Sequence, residues 1–153
     1  MTGKRTIVAY ATKGGVTEES ASVIANVLRD KYGLEVDVID LKKNSTPNLS
    51  QYENVVIGSG VRMQRVYKEA LRFIEKNDFE DKKVAIFLSS IEPRDEAIAK
   101  YISRTLEKYP KIKPIASEAF GGRIRILGHT TSDKRDIKKV RSWAEELGKK
   151  LSE

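Results

Sequence analysis

With 153 residues and 39% hydrophobic content, the chain is long enough to bury one substantial core, and its frequent aliphatic runs exclude a disordered segment. It contains no cysteine, which excludes disulfides, thiolate metal centres and CxxC redox chemistry, so any redox role needs a bound cofactor. The net charge of +7 is compatible with nucleic acid, an anionic membrane surface, an acidic protein, an anionic ligand or a plain solvated Lys/Glu surface.

Apolar runs and helical patterns alternate from end to end. Thr6-Ile7-Val8-Ala9-Tyr10 reads as a short buried strand, and no export signal precedes it, which makes the cytoplasm the expected location. From Thr17 to Tyr32, Ala21, Ile24, Ala25 and Leu28 recur at helical spacing, and Gly33 supplies a left-handed C-cap. Glu35 to Asp40 alternates as a second strand. Val55-Val56-Ile57-Gly58 is a third, followed by a helix carrying Tyr67, Leu71 and Ile74. Val84 to Leu88 is a fourth, followed by a helix with Ile98, Tyr101 and Ile102. Ile115 to Phe120 is a fifth, and a last helix carries Ile137, Val140, Ala144, Leu147 and Leu151. No stretch approaches the roughly 20 apolar residues that cross a bilayer, so no transmembrane segment is expected.

Five β-α units with near-continuous apolar strands imply an α/β domain over residues 1–153, its parallel sheet covered by helices on both faces. Right-handed crossovers leave the doubly wound orders, and five strands favour 2-1-3-4-5. Ligands of such sheets sit beyond the carboxyl ends of the strands, where strand order switches. That directs attention to the loops 11–17, 59–66 and 89–95.

The first loop, Ala11-Thr12-Lys13-Gly14-Gly15-Val16-Thr17, runs from a strand straight into a helix. Two glycines allow successive N–H groups to turn inward as an anion nest, and the helix N-terminus adds free amides and its positive dipole end. Thr12 and Thr17 add hydroxyl donors. The plainer alternative is a glycine-containing turn with Thr17 as helix N-cap. The loop is neither a Walker A sequence nor a GxGxxG dinucleotide fingerprint. In the second loop, Gly58-Ser59-Gly60-Val61-Arg62-Met63 combines glycines that permit close approach to a flat ligand with a cation. In the third, Ser89-Ser90-Ile91-Glu92-Pro93-Arg94-Asp95 offers hydroxyls and amides, and Asp95 suits a helix N-cap.

The first loop resembles the flavodoxin phosphate loop, a strand followed by Thr-x-x-Gly-x-Thr opening a helix. The resemblance implies a flavodoxin-like fold and FMN as cofactor, with Thr12, Lys13, Gly14, Gly15, Val16 and Thr17 around the phosphate. It further implies Ser59, Gly60, Val61, Arg62 and Met63 on one side of the flavin and Ser89, Ser90 and Ile91 on the other. The flavin would carry the chemistry, so no side chain is assigned a catalytic role and no metal is expected. More narrowly, Val55 to Arg62, Phe120-Gly121-Gly122-Arg123-Ile124 and Trp143-Ala144 resemble the flavodoxin-domain, menaquinone-dependent protoporphyrinogen oxidases, and the resemblance implies that the Gly121-Gly122-Arg123 segment also helps to bind the flavin. Two departures stand out. Neither flavin loop holds an aromatic residue, Tyr67 lying just past the second. Where those oxidases carry a long, partly hydrophobic late segment, this chain passes from Gly122 to its last helix through the polar run His129-Thr130-Thr131-Ser132-Asp133.

The expected function is an FMN redox protein that exchanges electrons with an acidic redox partner protein. The alternative is an oxidase-type dehydrogenase acting on an anionic reduced small molecule, with a quinone or protein acceptor. A phosphoacceptor signalling domain is excluded, because strand one ends in Tyr10-Ala11 and strand three in Gly58-Ser59 where acidic residues would be required. Nucleic-acid binding has only charge in its favour. Arg123, Arg125, Lys134, Arg135, Lys138, Lys139 and Arg141, with Arg62, Arg65, Lys68 and Arg72, form either a positive rim to the site or dispersed solubilising charge. Trp143 is expected in the core, and His129 in a solvated loop.

Overall fold

A computed structural model describes residues 5–153, the side chains of Arg125, Ile126 and Thr131 excepted; Met1–Lys4, read as the approach to the first strand, lie outside it. In chain order the elements are β1 (Arg5–Ala11), α1 (Val16–Tyr32), β2 (Glu35–Asp40), β3 (Asn54–Arg62), β4 (Arg65–Val66) and α2 (Lys68–Lys76). They continue with β5 (Lys83–Ser90), α3 (Arg94–Ala97), a π-helical stretch (Ile98–Ser103), α4 (Arg104–Lys108), β6 (Ala116–Gly121), β7 (Arg123–Ile126), β8 (His129–Asp133) and α5 (Ile137–Ser152).

The main sheet has the order β2-β1-β3-β5-β6, all parallel, with β4 pairing antiparallel to β3. This is the expected 2-1-3-4-5 arrangement; the short β4 only shifts the labels. Because successive strand residues point to opposite faces, each central strand feeds two cores. Ile7, Ala9, Val55, Ile57, Ile86 and Leu88 meet Phe73 and Ile74 of α2 and Tyr101 and Ile102 of the π-helical stretch. Val8, Tyr10, Val56, Ala85 and Phe87 meet Ile24 and Leu28 of α1 and Trp143 and Leu147 of α5. Full burial of side chains this size contributes roughly 1.5–3 kcal/mol each before chain entropy is counted. Trp143 is 7% exposed and packs edge-on to Phe120, as a core residue should.

Two connections differ from the expectation. Strand three does not stop at Gly58: it runs to Arg62 and folds back through Met63-Gln64, so that Val61 and Arg62 pair with Val66 and Arg65. Both turn residues have positive φ, 51° and 60°, as a two-residue hairpin turn demands. The segment after Gly122, expected as a polar connection, is a second antiparallel hairpin, β7–β8, outside the main sheet. Leu127 (φ 51°) and Gly128 (φ 81°) form its turn, and the β-branched Ile124 and Thr130 suit its strands. His129 therefore opens a strand rather than sitting in a loop, and its side chain is exposed.

Candidate functional site

The carboxyl ends of β1, β3 and β5 converge on a cleft of about 780 Å³. It is lined by Thr12, Lys13, Gly14, Val16 and Thr17 of the first loop, Gly60 to Gln64 and Tyr67 of the second region, and Ser89 to Glu92 of the third. Gly122, Arg123 and Ile124 complete the wall. Of the fourteen residues singled out in the sequence, twelve line this cleft; Gly15 and Ser59 do not.

Gly15 shapes the first loop instead. It occupies the N-cap position of α1 in the left-handed region (φ 83°, ψ −7°), and no side chain caps the helix. The first-turn amides thus have no side-chain acceptor. The Gly15 N–H donates to Thr12 Oγ1 at 3.1 Å, which closes the loop on itself. Thr17 is not the N-cap that the plainer reading required. It lies inside the first turn, 1% exposed, and its hydroxyl has no hydrogen-bond partner. A buried hydroxyl left unpaired is costly, so this one marks a place where a polar ligand atom would be favoured. Ser89 Oγ in the third loop is buried and unpartnered in the same way.

Ser59 is structural. Its hydroxyl donates to the Gly60 carbonyl at 2.7 Å and accepts from the Tyr67 N–H at 3.2 Å, tying the returning hairpin to β3. That return also brings Tyr67, the residue at the N-cap position of α2, into the cleft wall. A Cβ on Gly60 would lie 2.9 Å from the Tyr67 ring, so glycine is what lets the ring close down on the strand. Burial pushes the Tyr67 phenol above its ordinary range. Sequence reading placed no aromatic residue in the site; the missed signal was the Arg62–Arg65 hairpin, which returns Tyr67 to the strand it had just left. Met63, at the hairpin tip, is 86% exposed.

In the third loop, Ser90 donates to the Glu92 carboxylate, and the Tyr101 hydroxyl donates to the other oxygen of that carboxylate at 2.9 Å. Burial, and next the bond to Glu92, push the Tyr101 phenol up to about 12. The π-helical widening presents Tyr101 there while burying its ring and Ile102 in the core. Asp95 is not the cap it was expected to be. Pro93 holds that position, and Asp95 pairs with Arg94 at 2.8 Å. Sequence reading also left out Gln64 and Glu92 as lining residues. The charged side chains lining the cleft are Lys13, Arg62 and Arg123 against Glu92, so the lining is net cationic.

Three βα loops at the switch point of a 2-1-3 parallel sheet, with a helix start that no side chain caps under one of them, have the arrangement of a flavodoxin-type protein. The family model "Flavodoxin domain" matches residues 7–150, and the chain belongs to that family. It is similar to the protoporphyrinogen IX dehydrogenase [quinone] of Escherichia coli K12, 29% identical over 73 residues. That match covers 48% of this chain and 40% of the relative, so less than half the length of the curated relative is spanned. Among solved structures, oxidised flavodoxin 1 from Bacillus cereus shares the fold with a TM-score of 0.66 and 23% identity, over 95% of this chain and 98% of that one. Rubredoxin oxygen:oxidoreductase from Desulfovibrio gigas has a TM-score of 0.66 and 15% identity, over 98% of this chain and 37% of that one. No helix of the described residues is long and apolar enough to cross a membrane.

FMN is the cofactor of this family, and the described residues fit it. The uncapped helix start and the orphaned Thr17 hydroxyl suit a phosphate, and the remaining cleft, with Gly60, Tyr67 and the orphaned Ser89 hydroxyl, suits a flat polar ring. The chain is thus a flavin-binding redox protein.

Proposed function

We propose that the protein is an electron-transfer flavoprotein that holds FMN in this cleft and exchanges electrons with an acidic protein partner in the cytoplasm. Bound FMN supplies one- and two-electron chemistry. The chain's own residues orient it: Thr12, Thr17 and the amides of Gly14 and Val16 toward the phosphate, and Gly60, Met63, Tyr67 and Ser89 around the ring. The observation that carries this reading is the pair of buried, unpartnered hydroxyls, Thr17 and Ser89, on two separate loops lining one cleft. The cationic lining and the exposed Met63 at the cleft's edge support docking of an acidic surface. Titration of the flavin-free protein with FMN, FAD and riboflavin tests the site, and FMN should bind tightest. Equal affinity for riboflavin would remove the phosphate cradle from the reading.

A second reading, a dehydrogenase of an anionic reduced substrate with a quinone acceptor, is favoured by the similarity to the Escherichia coli enzyme. Against it stands the departure seen in the sequence: the resemblance implies a long, partly hydrophobic late segment, whereas here the short β7–β8 hairpin leads from β6 to α5. Anaerobic mixing of FMN-loaded protein with protoporphyrinogen and with reduced protein donors separates the two. Reduction by a protein donor should be much faster. Rapid bleaching by protoporphyrinogen, with turnover on adding a quinone, would reverse the ranking.

A further inference from the structure

The β7–β8 hairpin is fastened at its base: the Gly122 N–H donates to the Ser90 carbonyl and the Lys134 N–H to the Gly122 carbonyl, each at 2.8 Å. From that base Arg123 reaches across to the first loop, where its Nη2 donates to the Gly14 carbonyl at 3.1 Å. That bond uses one of a guanidinium's five N–H donors. Arg135, where the hairpin leaves toward α5, is engaged differently. It pairs with Asp133 at 2.6 Å and with Glu19 of α1 at 3.1 Å. Asp133 is the carboxylate opposite Arg123 in the hairpin register, and Glu19 is one of the two acids, with Glu18, in the first turn of α1. Arg135 thus engages both Asp133 and Glu19. Among the described residues no carboxylate lies within 4 Å of the Arg123 guanidinium, which lines the cleft beside Thr12 and Thr17.

Resting on the reading that this cleft takes FMN, we infer that Arg123 is a cationic ligand of the cofactor phosphate, supplied from outside the phosphate loop, and that it sets the preference for a phosphorylated flavin. A loop of hydroxyls and amides alone binds phosphate with little dependence on salt. A guanidinium makes charge-assisted hydrogen bonds to a phosphate and adds an ionic attraction that salt screens.

The test is a fluorescence titration of flavin-free wild type, Arg123→Gln, Arg123→Lys and Thr17→Val with FMN and riboflavin, at several salt concentrations. Arg123→Gln should lose about tenfold in FMN affinity, as expected for a lost hydrogen bond to a charged group, with riboflavin affinity within about twofold of wild type. It should also flatten the salt dependence, and Arg123→Lys should restore most of that dependence. Equal weakening of both flavins would show that Arg123 only holds the hairpin in place, and would overturn the inference. An unchanged FMN affinity would do the same. If Arg123→Gln does not fold, the wild-type salt series decides: FMN affinity independent of salt overturns the inference. Loss of FMN preference in Thr17→Val but not in Arg123→Gln sinks this inference alone. A wild type that binds both flavins equally, or neither, takes the phosphate site down with it.

Discussion

At the scale of single residues, Thr17 carries opposing demands. Its buried hydroxyl has no partner in the fold, so Thr17→Val should leave the flavin-free protein as stable as wild type or up to about 1 kcal/mol more stable. The same change should weaken FMN by roughly 1–3 kcal/mol and riboflavin much less, because the lost bond is to a charged group. Urea unfolding of the flavin-free variant, beside the titration, reads both effects; a loss of stability with no loss of affinity would make Thr17 a packing residue. Gly58 is constrained by the core. A Cβ there would meet the Phe87 ring at 2.1 Å, and Phe87 is fully buried against Phe120 and Trp143. Gly58→Ala should destabilise by roughly 1–3 kcal/mol through overpacking, measured as a lower urea midpoint with an unchanged slope.

At the scale of elements, the β3–β4 hairpin is built on two left-handed residues that are not glycine, Met63 and Gln64. Such conformations cost energy and concentrate at functional sites. Replacing the pair by Asn-Gly should stabilise the flavin-free fold by about 1 kcal/mol, because that dipeptide suits the turn. If Met63 serves docking, the same variant should slow electron exchange with a protein partner; faster exchange would argue against that role. The π-helical stretch has its own signature. Tyr101, buried and held by Glu92, is pushed up to about 12, as is Tyr10 of β1, buried and beside the charge of Asp40. For a phenol the folded state then favours the neutral form. Its contribution is fully present below the unfolded value near 10 and is lost as pH rises toward about 12. Stability should therefore fall through that window, and Tyr101→Phe should remove its share of the fall. An equally steep loss in that variant would assign the titration elsewhere.

At the scale of the whole molecule, charge is distributed for encounter. The chain carries +7 overall, and the cleft lining is net cationic. Association with an acidic partner should slow as salt rises, since exposed charges are screened over about 8–10 Å at physiological ionic strength. The rate of electron exchange across an ionic-strength series measures this, and a flat response with every partner tried would make the basic rim solubilising charge only. The side chain of Arg125, counted with that rim in the sequence, lies outside the described residues.

Residue order alone determined the sheet, its order and the first loop, because each depends on local signals. Strands buried on both faces must be near-continuously apolar, as Val55-Val56-Ile57 and Val84 to Leu88 are, and a phosphate loop is a contiguous run of Thr and Gly between a strand and a helix. Ser59 and Gly15 were assigned to the ligand through the resemblance and, for Gly15, through a glycine's freedom to turn; packing gives one a further part as a hairpin tie and the other as a helix cap. The resemblance also pointed to Gly121-Gly122-Arg123, but only the tertiary structure decided how the rest of the wall is assembled. Tyr67 enters it because β3 folds back on itself, Glu92 is held by Tyr101 from a helix nine residues on, and Arg123 reaches Gly14 from 109 residues away. Neither hairpin was read from the sequence: Met63-Gln64 lacks turn-forming residues, and Arg123-Ile124-Arg125-Ile126, though it alternates with a strand period and leads to Gly128, faces the wholly polar His129 to Asp133, which shows no such period. Long-range contacts of this kind depend on how the chain returns to itself. No window of sequence encodes that return; the burial of both faces of the sheet does.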